Sequence, residues 1–158
     1  MKIGDSAPAS GTSIARSLVQ KLLDDKSIKI AVLTCMVKTA KELQKAIFGR
    51  LNSGHSNVTI ETVARVQGLT CDVTIYVVPN ASLNRSLEPR LFNVATSRAI
   101  RHTIIIAEKD IVQYPLMDSK VKQYLKKLEQ EQSCYIPFNC QTGPKLLNST
   151  NNNLIELQ

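Results

Sequence analysis

A chain of 158 residues, 43% of them hydrophobic, is long enough for one packed core and short for two, so a single domain is expected. Lysine and arginine outnumber aspartate and glutamate 20 to 13, for a net charge of +7 and an isoelectric point near 9.4, a balance that favours polyanionic partners. No apolar run approaches the roughly 20 residues that cross a bilayer, and no basic and apolar leader opens the chain, so a membrane role is not expected.

The first twelve positions, 1–12, are rich in Ser, Ala, Gly and Pro and read as a flexible lead-in. Thr12 or Ser13 is placed to cap a helix running to Asp25, because Ile14, Leu18 and Leu22, with Ala15, Val19 and Leu23, recur at helical spacing. Positions 28–35 form an apolar run that predicts a buried strand. A second helix, 39–48, carries Ala40, Leu43 and Ile47 on one face, and Gly49 with the Asn52-Ser53-Gly54 cluster supplies its stop and a loop. Strands are expected at 58–63 and 72–78 around a Gln67-Gly68 turn, the second apolar enough for the centre of a parallel sheet.

The polar stretch 79–89 reads as a mobile loop, followed by a helix over 88–99 with Pro89 tolerated in its first turn and a strand over 103–107. Strands alternating with helices predict a layered α/β domain with a parallel sheet and right-handed crossovers. Asp118 caps a helix over 119–132 with Val121, Tyr124, Leu125 and Leu128 on one face. Lys120, Lys122, Lys126 and Lys127 lie outside, as on a helix that covers a sheet and keeps a solvated basic face. The remaining 133–158 read as a largely irregular extension or linker, and its 148–153 run is low in complexity.

Four cysteines, Cys35, Cys71, Cys134 and Cys140, include no Cys-x-x-Cys pair and have two histidines, His55 and His102, for company. No metal site is expected, and the thiols read as reduced in a cytoplasmic protein. Asn-x-Ser/Thr triplets at Asn57, Asn80, Asn84 and Asn148 are, without a leader, chance matches.

Two segments carry the functional reading. Arg98 lies in Arg90-Leu91-Phe92-Asn93-Val94-Ala95-Thr96-Ser97-Arg98-Ala99, at the end of a helix that otherwise looks buried. A guanidinium there is costly unless it meets an anion, a carboxylate or solvent. Upstream stands Thr59-Ile60-Glu61-Thr62-Val63-Ala64-Arg65-Val66-Gln67-Gly68-Leu69-Thr70-Cys71-Asp72, leading into Val73-Thr74-Ile75-Tyr76-Val77-Val78.

In order and spacing the two segments resemble motifs V and VI of superfamily 1 DNA and RNA helicases, in the second, C-terminal RecA-like domain. The resemblance runs from about Ser13 to Ile111. Asp72 matches the family's acidic position, whereas Thr70 stands where many members carry Glu, and Ala64 where Asp is common. The segment is therefore not expected to hold the nucleotide sugar.

The resemblance implies a RecA-like three-layer α/β domain over 13–132 with a mainly parallel central sheet, similar to the P-loop NTPases. The sequence has no Gly-x-x-x-x-Gly-Lys-Ser/Thr phosphate loop of its own. Function would then be that of a motor domain in an ATP-dependent helicase, an ATP hydrolase only with an N-terminal RecA-like ATP-binding domain. ATP and Mg²⁺ would lie at the interface between the two domains.

In that arrangement Arg98 is the arginine finger, and Gln67 and Gly68 line the nucleotide cleft. Lys38 falls near the end of motif IV, where many members have an Arg that reaches the γ-phosphate, and Arg101 is a further candidate for the nucleotide. Thr62 and Arg65 would touch the backbone of single-stranded nucleic acid, DNA in preference to RNA, and the scarcity of aromatics argues against a broad stacking platform. From the residues alone Gln67 can equally be a turn amide, Lys38 an exposed helix start and Arg101 a helix-end cap. The alternative function is a non-catalytic RecA-like module that binds nucleic acid or a protein.

Overall fold

Apolar residues at helical spacing and uninterrupted apolar runs of strand length alternate along the chain, and each becomes an element of one sheet or of the layers that cover it. The computed structural model describes residues 7–49, 55–108, 110–136, 138–139, 143–144 and 154–157. Through residue 108 it holds helix α1 (Ala7–Leu22), strand β1 (Ile30–Thr34), helix α2 (Val37–Phe48), strands β2 (Val58–Thr62) and β3 (Cys71–Val77), helices α3 (Leu83–Ser86) and α4 (Pro89–Thr96), and strand β4 (Ala99–Glu108). Beyond these come helix α5 (Ser119–Gln132) and strands β5 (Ser133–Ile136), β6 (Phe138–Asn139), β7 (Gly143–Pro144) and β8 (Leu154–Leu157).

The body is the all-parallel sheet β2-β1-β3-β4, and β8 and β5 extend it in the same sense beyond β4. Alternation along the central strands splits the core in two. Ile30 and Val32 of β1 face Ile14, Val19, Leu43 and Ile47 of α1 and α2. On the other face, Ala31, Leu33, Tyr76 and Ile105 pack with Phe92, Ala95, Val121 and Leu125 of α4 and α5. Both faces of β1 are buried, which is why its sequence is continuously apolar. The expected α/β domain, RecA-like and similar to the P-loop NTPases, is the observed one.

Several expectations are corrected. Helix α1 begins at Ala7, so the lead-in expected over 1–12 is helical from that residue on, and Thr12 lies inside the helix and buried. The segment expected to be mobile, 79–89, is instead folded into a short 3-10 turn (Asn80–Ser82), α3 and the start of α4. Its order comes from below: the buried Tyr76 hydroxyl donates to Ser86 O at 2.8 Å, Ser82 and Ser86 hydroxyls meet at 3.1 Å, and the Tyr114 hydroxyl bonds the Asn84 side chain.

Helix α4 ends at Thr96, short of the expected residue 99, and β4 starts at Ala99, so Arg98 is the last residue of a tight connection. The extension after residue 132 contributes β5–β8, with β8 between β4 and β5, whose pairing covers the edge of β4. Residues 52–54 and the 148–153 run lie outside the described residues. No described helix is long and apolar enough to cross a membrane.

Candidate functional site

Parallel strands give the sheet an amino edge, where every strand begins, and a carboxyl edge, where every strand ends. The expected site residues divide between them. Thr62 ends β2, paired in register with Thr34 at the end of β1, and is buried. Its backbone N–H donates to the Glu61 carboxylate at 3.0 Å. Arg65 follows in a 3-10 turn (Val63–Arg65), 67% exposed, with Glu61 at 3.8 Å. Lys38 occupies the exposed first turn of α2, just beyond the end of β1. These three belong to the carboxyl edge.

At the amino edge, Gly68 adopts φ +78°, a left-handed turn that glycine enters without the strain a Cβ would bring. It leads through Leu69 and Thr70 into β3, and Gln67 beside it is exposed. The first N–H of β3, that of Cys71, donates to Arg98 O at 3.1 Å, and the Cys71 thiol leans on the same carbonyl at 3.6 Å. Burial pushes that thiol up from its ordinary value, so it is an inert wedge rather than a nucleophile. Helix α4 packs against the 63–65 turn, with Val63, Val66, Phe92 and Ala95 in one cluster. Through the Cys71 bond, Arg98 and the strand that follows the Gln67-Gly68 turn meet at this edge.

Arg98 is half-buried. Its Nε donates to Val94 O at 3.1 Å and its Nη2 to Ser97 Oγ at 3.2 Å. No ion pair among the described residues includes it. Two of the five guanidinium N–H groups are committed to local anchors that hold the fork in place, and the remainder suit an anion arriving from outside. Arg101, expected at a helix end, lies on β4, where its Nε meets Asp72 at 3.3 Å, so a helix-capping role is ruled out by its strand geometry. Asp72 also accepts the Lys29 N–H at 2.9 Å. That carboxylate therefore fastens the starts of β1, β3 and β4, a role its agreement with the motif did not disclose.

The edges are separated by the seven residues of β3, about 20 Å at roughly 3.3 Å per residue. Lys38 and Arg98 thus stand at opposite edges of the sheet, Lys38 at the edge where Thr62 ends β2. The segment from Thr62 to Gly68 runs from one edge to the other. Sequence reasoning also missed the buried pair Cys35 and Tyr76, whose thiol and hydroxyl lie 2.9 Å apart. Burial raises the Tyr76 phenol well above its ordinary value, which marks it as structural. Among the described residues no cluster of His, Cys, Asp or Glu has the makeup of a metal site.

The parallel sheet is that of a RecA-like, P-loop NTPase-like α/β domain, with the Gly68 turn and Arg98 at its amino edge. Comparison agrees at that level. The model of the AAA domain family matches residues 9–110, well over half of the chain, and the chain belongs to this family, as a helicase-type domain. No curated protein matches it significantly.

Proposed function

We propose that the chain is the C-terminal RecA-like motor domain of an ATP-dependent superfamily 1 helicase, acting on single-stranded nucleic acid, DNA in preference to RNA. In this reading it completes the catalytic site of an N-terminal RecA-like ATP-binding domain. The observation that carries the reading is the amino edge: an arginine anchored by Val94 O and Ser97 Oγ, with no ion pair among the described residues, and tied by its carbonyl to the strand that follows the Gln67-Gly68 turn. Ile100, 71% exposed beside it, is apolar surface of the kind a partner domain would cover.

Arg98 would stabilise charge developing on the γ-phosphate, with Gln67 and Gly68 bordering the same cleft and Arg101 at its margin. When bound there, ATP supplies the phosphoryl group and Mg²⁺ neutralises its oxygens, the metal being held by the partner domain. Thr62 and Arg65, with Lys38, would meet the nucleic-acid backbone at the carboxyl edge. The Thr62–Gly68 segment would then link strand contact to the cleft, since it runs from the end of β2 to the turn that leads into β3. In the alternative, a RecA-like module that binds without hydrolysis, Arg98 would hold an anion without speeding its cleavage.

The test is Arg98→Ala in the protein in which this domain stands with its ATP-binding partner. Hydrolysis is expected to fall about a thousandfold or more with ATP affinity little changed, and Arg98→Lys to rescue poorly, because a point charge cannot replace a planar fork. Near-normal turnover with an unchanged melting transition would refute the assignment.

A further inference from the structure

Helices α4 and α5 lie side by side on one face of the sheet and border between them an open cavity of about 400 Å³. Phe92 and Val121 form its buried apolar floor. Tyr124 stands at the mouth, 40% exposed, its ring meeting Phe92 edge-on with centroids 5.5 Å apart. This contact fixes the tyrosine ring against the floor while part of it stays exposed.

Arg90 on α4 and Lys120 on α5 flank the opening, both exposed. The acidic side chains nearest to them are turned onto backbone. Glu88 accepts from the N–H groups of Arg90 and Leu91 at 3.2 and 3.0 Å, and Asp118 from those of Lys120 and Val121 at 2.9 and 3.4 Å. No ion pair among the described residues involves Arg90 or Lys120. Lys126 and Lys127 continue the exposed positive charge along α5.

An exposed aromatic ring over an apolar hollow, with a cation on each wall and the one lining carboxylate, Asp118, bonded to the first N–H groups of α5, is the arrangement that takes a flat apolar ring carrying anionic neighbours. We propose that this cavity receives one unstacked base of a single-stranded nucleic acid, stacked against Tyr124, with flanking phosphates on Arg90 and Lys120. The proposal rests on the nucleic-acid reading above: its α4 wall, with Arg90 and Phe92, belongs to the segment that carries Arg98, while Lys120, Val121 and Tyr124 of α5 lie outside both motif segments. It adds a consequence for coupling: α4 carries the cavity wall and ends just before Arg98, so a base held there would steady the element that presents the finger.

The experiment measures fluorescence anisotropy of a labelled oligothymidylate of about a dozen nucleotides, and of an abasic strand of equal length, on the full chain at low salt. Tyr124→Ala is expected to weaken oligothymidylate binding about tenfold, and Tyr124→Phe to stay within about twofold, since stacking needs the ring and not the hydroxyl. The abasic strand should bind the unaltered protein about as weakly and lose nothing further in Tyr124→Ala. Arg90→Gln and Lys120→Gln, both at exposed sites that leave the fold alone, should each reduce the salt slope by about one.

Equal affinity for the two strands, or no effect of Tyr124→Ala, would overturn the cavity proposal while leaving the nucleic-acid reading in place. Failure of the unaltered chain to bind either strand would overturn both. Displacement of the oligothymidylate by an acidic peptide carrying one phenylalanine, with equal loss of peptide binding in Arg90→Gln, would assign the cavity to a protein segment and overturn the base site.

Discussion

Gly68→Ala isolates what the left-handed turn contributes. At φ +78° a Cβ is strained, yet one built on Gly68 would meet nothing within 4 Å, so the whole cost is conformational and none of it steric. An L-residue in the left-handed region costs about 1–2 kcal/mol, and the stiffer unfolded chain of the alanine variant offsets part of that, leaving roughly 1 kcal/mol of lost stability. For a domain of this size such a loss lowers Tm by about 2–4 °C. Gly68→Asn should lose less, because asparagine tolerates this region better. Thermal melts followed by circular dichroism read both. An unchanged Tm in Gly68→Ala would mean that the turn is not left-handed, and a loss above about 4 kcal/mol would mean that the space beside it is filled.

Tyr76→Phe should cost about 1–3 kcal/mol in denaturant unfolding, because Ser86 O and the Cys35 thiol lose a buried partner, and an unaffected midpoint would contradict that network. Burial raises the Tyr76 phenol above its ordinary 10.0, so as pH climbs through that value the unfolded chain ionises first and stability falls. Tyr76→Phe should lose this part of the alkaline decline, which parallel melts from neutral pH upward will detect. Arg101→Ala should change stability by no more than about 0.5 kcal/mol, since the pair with Asp72 is 61% exposed on the arginine side. Asp72→Ala should cost about 1 kcal/mol or more, because the Lys29 N–H also loses its acceptor. Equal effects of the two changes would show that the ion pair, and not the backbone bond, is what Asp72 contributes.

The elements were legible in the chain wherever one face alternates with another. Ala40, Leu43 and Ile47 mark α2, the run Ile30-Ala31-Val32-Leu33 marks a strand buried on both faces, and Asp118 caps α5 as its position suggests. The ordered pair of segments around Gln67-Gly68 and Arg98 gave the helicase-type domain, since each requires particular residues at particular spacing.

What the sequence left undetermined depends on contacts between segments far apart in the chain. The stretch 79–89 looks like a loop because its own composition is polar, and it is ordered by Tyr76 beneath it. Tyr124 shares a helical face with Val121 and Leu125, yet the sheet covers only those two fully. Lys38 and Arg98 are both cations in motif-like segments, and only the direction of the parallel strands shows that they stand at opposite edges. Periodicity records which side of an element is apolar; which neighbour covers that side, and at which end of the sheet a charge emerges, is decided by packing.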